Sequence, residues 1–200
     1  AWCVCCSRRS AIAMAKPVAA DTFVALLRGI NVGGKNKLAM RDLAALCAGL
    51  GGRDVRTYIQ SGNVVFAAGP RTAAGFAADL QRAIDTGFGL RVPVVVRSRA
   101  QLRAVAAGNP HLKNGVDPEH MHVAFLADVP QPKAVATLDP RRSPGDAFVV
   151  AGQEVYLHLP NGVARSKLTN AWFDAQLATT STIRNWRTVL TLLEMTAAAP

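Results

Sequence analysis

The stretch VRTYIQSGNVVF, residues 55–66, decides the fold class. Val55, Thr57 and Ile59 alternate with Arg56, Tyr58 and Gln60, the period of a half-buried strand. Val64, Val65 and Phe66 form a second β run. Between the two lies Ser61-Gly62-Asn63. A Gly-Asn pair between β runs predicts a tight hairpin, because both residues accept positive φ.

On the N-terminal side, Met40, Leu43, Ala44, Cys47 and Leu50 follow helical spacing, and Gly51-Gly52 stop the helix. Before it, the apolar run Phe23–Leu27 reads as a strand buried on both faces. On the C-terminal side, Phe76, Leu80, Ala83, Ile84 and Phe88 mark a helix. Val92–Val96 is a further strand, with Pro93 placing it at a sheet edge or a strand start. The order β-α-β-β-α-β is that of a ferredoxin-like plait, an antiparallel sheet with two helices on one face.

The second half repeats the scheme. A short helix over Leu102–Ala107 precedes a strand over Met121–Leu126, and Ala134, Val135 and Leu138 mark one or two helical turns. Phe148–Val150 and Val155–Leu159 form a hairpin through Gly152-Gln153. Trp172, Phe173 and Leu177 mark a helix. Ile183, Trp186, Val189, Leu190 and Leu193 mark a closing one, with Thr182 as its N-cap. The predicted fold is therefore α+β, with two related ferredoxin-like (βαββαβ-type) halves and antiparallel sheets. They cover residues 20–98 and 118–200, with a connecting helix and loop over 99–117. Residues 1–19 lack any period and read as a disordered N-terminal extension. Met14 is a candidate start that would leave residues 1–13 upstream of the fold.

Half of the residues are hydrophobic and 18% are charged, the balance of a globular chain. No run reaches the roughly 18 apolar residues of a membrane span. Three of the four cysteines are Cys3, Cys5 and Cys6, with no fourth ligand at a familiar spacing. Cys47 falls on an apolar helix face. A cytoplasmic setting follows as the default. The net charge of +10 favours polyanionic or phosphorylated partners.

After the first strand comes the glycine-rich run Arg28-Gly29-Ile30-Asn31-Val32-Gly33-Gly34-Lys35-Asn36. Its Gly-x4-Gly-Lys spacing is that of a phosphate-cradling loop. Asn36, however, stands where a magnesium-binding hydroxyl would be needed, and the next helix begins too late for Lys35 to sit in its first turn. A nucleotide-hydrolysing loop is thus disfavoured. An anion- or nucleic-acid-binding loop and a purely structural glycine turn both remain. Near the C-terminus, Arg184 and Arg187 would share a helix face and could clamp a phosphate or carboxylate. Trp186 reads as core. His120 and His122 lack a carboxylate at a persuasive spacing, so no metal site is predicted. No nucleophile motif is present, and no cofactor is expected.

LLRGINVGGKNK, Met40, DVRTYIQSGNVVF, Arg165–Leu168 and IRNWRTV at 183–189 together resemble the domain-of-unknown-function 1697 family of small, mostly bacterial proteins. The resemblance runs from about Thr22 to Met195. It implies a duplicated ferredoxin-like α+β fold and no assigned activity. Its motif residues fall here on Arg28, Gly29, Asn31, Gly33, Gly34, Lys35, Tyr58, Ser61, Gly62, Asn63, Lys167, Arg184, Asn185 and Trp186.

The leading functional expectation is binding of a phosphate-bearing or other anionic ligand, with a small one favoured, through the glycine-rich loop and the basic residues. The candidate residues are Arg28, Asn31, Gly33, Gly34, Lys35, Asn36, Ser61, Asn63, Lys167, Arg184, Asn185 and Arg187. The rivals are an enzyme acting on a phosphorylated or carboxylated molecule, with Lys35 and Arg184 as electrophilic stabilisers, and a basic nucleic-acid-binding module. A third is a protein whose motifs specify the fold alone. Aromatic residues are only 6% of the chain, which weighs against base stacking on an exposed sheet. The readings divide on whether Arg28, Lys35, Lys167 and Arg184 share one accessible cleft.

Overall fold

A computed structural model describes residues 21–197. The expectations for residues 1–19, including the Cys3/Cys5/Cys6 cluster, lie outside the described residues.

The first half runs β1 (Asp21–Leu27), α1 (Met40–Gly49), β2 (Arg53–Tyr58), β3 (Asn63–Ala68), α2 (Pro70–Phe88) and β4 (Val94–Ser98). The order β2-β3-β1-β4, with every pairing antiparallel, is the ferredoxin-like arrangement. Then α3 (Arg99–Gly108) leads to β5 (Met121–Leu126), α4 (Pro132–Ala136), β6 (Ala147–Ala151), β7 (Glu154–His158), α5 (Asn170–Leu177), β8 (Ser181–Asn185) and α6 (Trp186–Ala197). The second sheet has the equivalent order β6-β7-β5-β8. Both halves of the expected duplication are therefore present. No described helix is long and apolar enough to cross a membrane.

Alternation along the strands sorts side chains between layers. Ala25, Leu27, Val64 and Phe66 face outward onto Leu43 and Cys47 of α1 and Phe76, Leu80 and Ile84 of α2. Val24, Leu26, Val65 and Val95 face inward onto α3, α6 and the inner face of the second sheet. That sheet's outer face packs on α5 through Phe173 and Leu177. Each sheet is thus covered on both sides, which is why β1, β3 and β5 read as continuous apolar runs. The central layer, holding Trp186, Val189 and Leu192, joins the halves into one core.

Two local expectations are corrected. The hairpin between β2 and β3 is not a two-residue Gly-Asn turn. Tyr58 pairs with Asn63, so Ile59–Gly62 form a four-residue loop. Ile59 (φ 48) and Gly62 (φ 77) carry the positive φ values, and Asn63 is a fully buried strand residue. Gly62 has a second reason to be glycine. A Cβ there would sit 2.8 Å from both Leu27 Cβ and Ile30 Cδ1.

The second correction concerns the C-terminus. Thr182 is no helix cap, because residues 181–185 form β8 against β5. Ile183 and Trp186 do stand three apart, but the chain leaves the strand between them. Buried Ser181 and Thr182 are held by the sheet pairing. The cap of α6 is Asn185, whose Oδ1 accepts from Thr188 N at 2.8 Å. Arg184 and Arg187 consequently lie on different elements and share no helix face.

Candidate functional site

The glycine-rich run folds as a small hairpin tip between β1 and α1. Asn31 N donates to Asn36 O at 3.1 Å, and Val32 pairs with Lys35. Gly29, Asn31, Gly33, Gly34 and Asn36 all adopt positive φ, which accounts for the glycine and asparagine content of the motif. Both asparagine side chains are structural ties. Asn31 Nδ2 donates to Leu38 O (2.8 Å) and Gln60 O (3.0 Å), and its Oδ1 accepts from Leu38 N (2.9 Å). Asn36 Nδ2 donates to Gly29 O at 2.9 Å. The loop thus meets the β2–β3 hairpin through Gln60.

Arg184 projects from β8 into the seam between the halves. Its Nε donates to Asn63 Oδ1 at 2.6 Å. Its Nη1 reaches Thr182 Oγ1 and Ile183 O, both at 2.8 Å. Its Nη2 donates to Leu27 O and more weakly to Ser61 O. Every acceptor is a neutral oxygen, and no carboxylate pairs with Arg184 among the described residues. Burial of the guanidinium pushes its pKa down to about 10, so it stays charged at neutral pH.

Arg28 approaches the same seam from the end of β1. Its Nη1 pairs with Asp174 Oδ2 of α5 at 2.6 Å and donates to Ser181 O at 2.9 Å. Asp174 is fixed in turn, its Oδ1 accepting from Ser181 N (2.7 Å) and Ser181 Oγ (2.6 Å). The Arg28 side chain remains 27% exposed. Among the described residues its Nε and Nη2 have no hydrogen-bond partner.

Arg28 and Arg184 line one cleft of about 540 Å³ between the halves. Ser61 and Asn185 line it too, as do His122 and Asn170, which were not among the predicted site residues. Burial lowers the pKa of His122 below the usual histidine value, with the neighbouring charge of His120 adding to the effect and a hydrogen bond to the His120 carbonyl opposing it. From the glycine-rich run come Gly29, Ile30 and Val32.

The remaining predicted residues lie elsewhere. Lys35 is exposed at the hairpin tip and Lys167 is exposed after a 3-10 turn, and neither lines the cleft. Arg187 makes a surface pair with Glu119 at 3.3 Å, the two side chains 81% and 72% exposed. Asn31, Asn36 and Asn63 act on the cleft only by holding its walls. Of the two stabilisers named in the enzyme reading, the cleft contains Arg184 alone.

A third bridging arginine carried no weight in the sequence reading. Arg97 of β4, its side chain 3% exposed, pairs with Glu154 Oε1 at 2.9 Å and donates to Leu126 O and Gln153 O. Its signal was an arginine next to the Val94-Val95-Val96 run. A charge so placed must find a partner or leave the core.

A family model described as a protein of unknown function (DUF1697) matches residues 20–156. No curated protein matches the sequence. Among solved structures, the chain resembles a conserved bacterial protein of Streptococcus pneumoniae, SP0830. The TM-score is 0.70 at 20% identity, covering 90% of this chain and 99% of the other. At that identity the likeness concerns the fold.

Proposed function

The chain belongs to the DUF1697 family of proteins of unknown function, and we propose that it binds a small anionic ligand, a carboxylate or a phosphate, in the cleft between its halves. One observation carries the reading: the charged guanidinium of Arg184 at the cleft, surrounded by neutral oxygens alone. A desolvated charge without a counter-ion leaves a positive potential that low-dielectric walls focus into the opening. Arg28 supplies what Arg184 cannot. The Arg184 donors are already engaged, whereas Arg28 has Nε and Nη2 to offer. The Asn185 amide adds a further donor, since only its Oδ1 is committed to capping. The site is thus built chiefly from β1 and β8, with the glycine-rich hairpin as a wall. The proposed setting is cytoplasmic.

The test is Asn185→Asp. Aspartate caps a helix as well as asparagine, so folding is kept while a negative charge enters the cleft. Inorganic phosphate and acetate should raise the melting temperature of the parent. A ligand at one hundred times its dissociation constant stabilises by about 2.7 kcal/mol. In Asn185→Asp both shifts should vanish while the ligand-free melting temperature holds or rises. Equal shifts in parent and variant, or none in the parent, would refute the reading. Short oligonucleotides in the same screen test the nucleic-acid alternative, whose binding would weaken steeply with salt.

A further inference from the structure

The charged residues occupy only part of the cleft wall; Leu27, Ile30, Val32, Val163 and Ile183 form its apolar part. Leu27 and Ile30 are buried and belong to the first core. Val32 and Val163 are different. Val32 is 63% exposed at the tip of the glycine-rich hairpin, and Val163 is 45% exposed where a 3-10 turn begins before α5. Neither belongs to a hydrophobic core cluster. A single exposed valine needs no explanation. Here two of them, one from each half, stand on the rim of one cleft whose interior holds an uncompensated cation.

Resting on the anion site proposed above, we infer that the ligand is amphipathic: a carboxylate or phosphate head on a compact apolar body of aromatic-ring or branched-aliphatic size. The head lies toward Arg28 and Arg184, and the body lies between Val32 and Val163. A cleft of about 540 Å³ has room for both parts. Purely polar anions would leave the two valines in water. An apolar body buries them and adds the favourable transfer of their surface to the electrostatic attraction of the head.

Calorimetric titration of the full chain with two matched pairs decides the matter: inorganic phosphate against phenyl phosphate, and acetate against phenylacetate. The phenyl member of each pair should bind at least about tenfold tighter, the effect of burying a ring against apolar surface. Val32→Ser and Val163→Ser should each shrink the affinity ratio of phenyl compound to parent anion by about threefold or more. Both positions are exposed, so neither change threatens the fold. Phenyl compounds binding no tighter than their parents, or valine variants that keep the full gain, would overturn the inference and leave the anion site standing. Absence of binding by all four probes would overturn the anion site itself, and the inference with it.

Discussion

Arg184 is the point at which the structure makes its most quantitative commitment. Arg184→Met deletes four well-formed, charge-assisted hydrogen bonds, to Asn63 Oδ1, Thr182 Oγ1, Ile183 O and Leu27 O. Removing one partner of a buried, hydrogen-bonded charge typically costs about 3–5 kcal/mol. Burial, which pushes the Arg184 pKa down to about 10, keeps the loss below the sum of four separate charge-assisted bonds. The expected net loss is about 4–5 kcal/mol, a large share of the roughly 5–15 kcal/mol typical of a folded domain. Asn63→Leu removes the Nε acceptor and Asn63's own bonds to Tyr58 O and Ser61 Oγ, at about 3 kcal/mol. Because the two side chains meet directly, the double variant should lose less than the sum, with a coupling of about 2 kcal/mol. Urea unfolding of the four proteins measures this. A loss under about 1 kcal/mol for Arg184→Met, or additive single losses, would show that the seam is not held as described.

Further perturbations address other parts of the molecule. Gly62→Ala forces a positive φ on a residue whose Cβ would lie 2.8 Å from Leu27 and Ile30; it should destabilise by about 3 kcal/mol, and a loss below about 1 kcal/mol in urea melts would contradict the packing. His111 and His122 both have pKa values lowered mainly by burial. The unfolded chain therefore takes up protons first as pH falls through about 6.5, and stability should fall from there until the folded-state histidines protonate in turn. The drop should shrink in His111→Gln/His122→Gln, and an unchanged profile would exclude these groups as its source. Cys47, its thiol pushed up to about 12 by burial, should resist thiol reagents in the native protein and react only on unfolding; rapid native labelling of Cys47 in a chain starting at Met14 would contradict its burial.

Reading function from the strands proved harder than reading the strands. The alternation over residues 55–60, of which 55–58 fall in β2, the apolar runs of β1, β3 and β5, and the Gly152-Gln153 hairpin are local patterns, set by which face of a strand meets water. Their order was enough to give two plaits. β8 is not legible in the sequence because Ser181–Asn185, only five residues running straight into a helix, offer no period long enough to separate strand from helix. That miss moved Arg184 from a helix surface to a buried strand, and with it the whole candidate site. Lys35 and Lys167 drew attention as motif cations, yet both stand away from the cleft.

The sequence by itself determined the α+β class, the duplication and Gly62 as a positive-φ turn residue, because these depend on neighbours a few positions apart. The tertiary structure alone decided which arginines are paired and which is left without a counter-ion. Arg28 finds Asp174 across 146 positions, Arg97 finds Glu154 across 57, and Arg184 finds Asn63 across 121. A charge's partner is set by distance in space, and nothing in a local pattern records which distant oxygen the folded chain will bring within 3 Å.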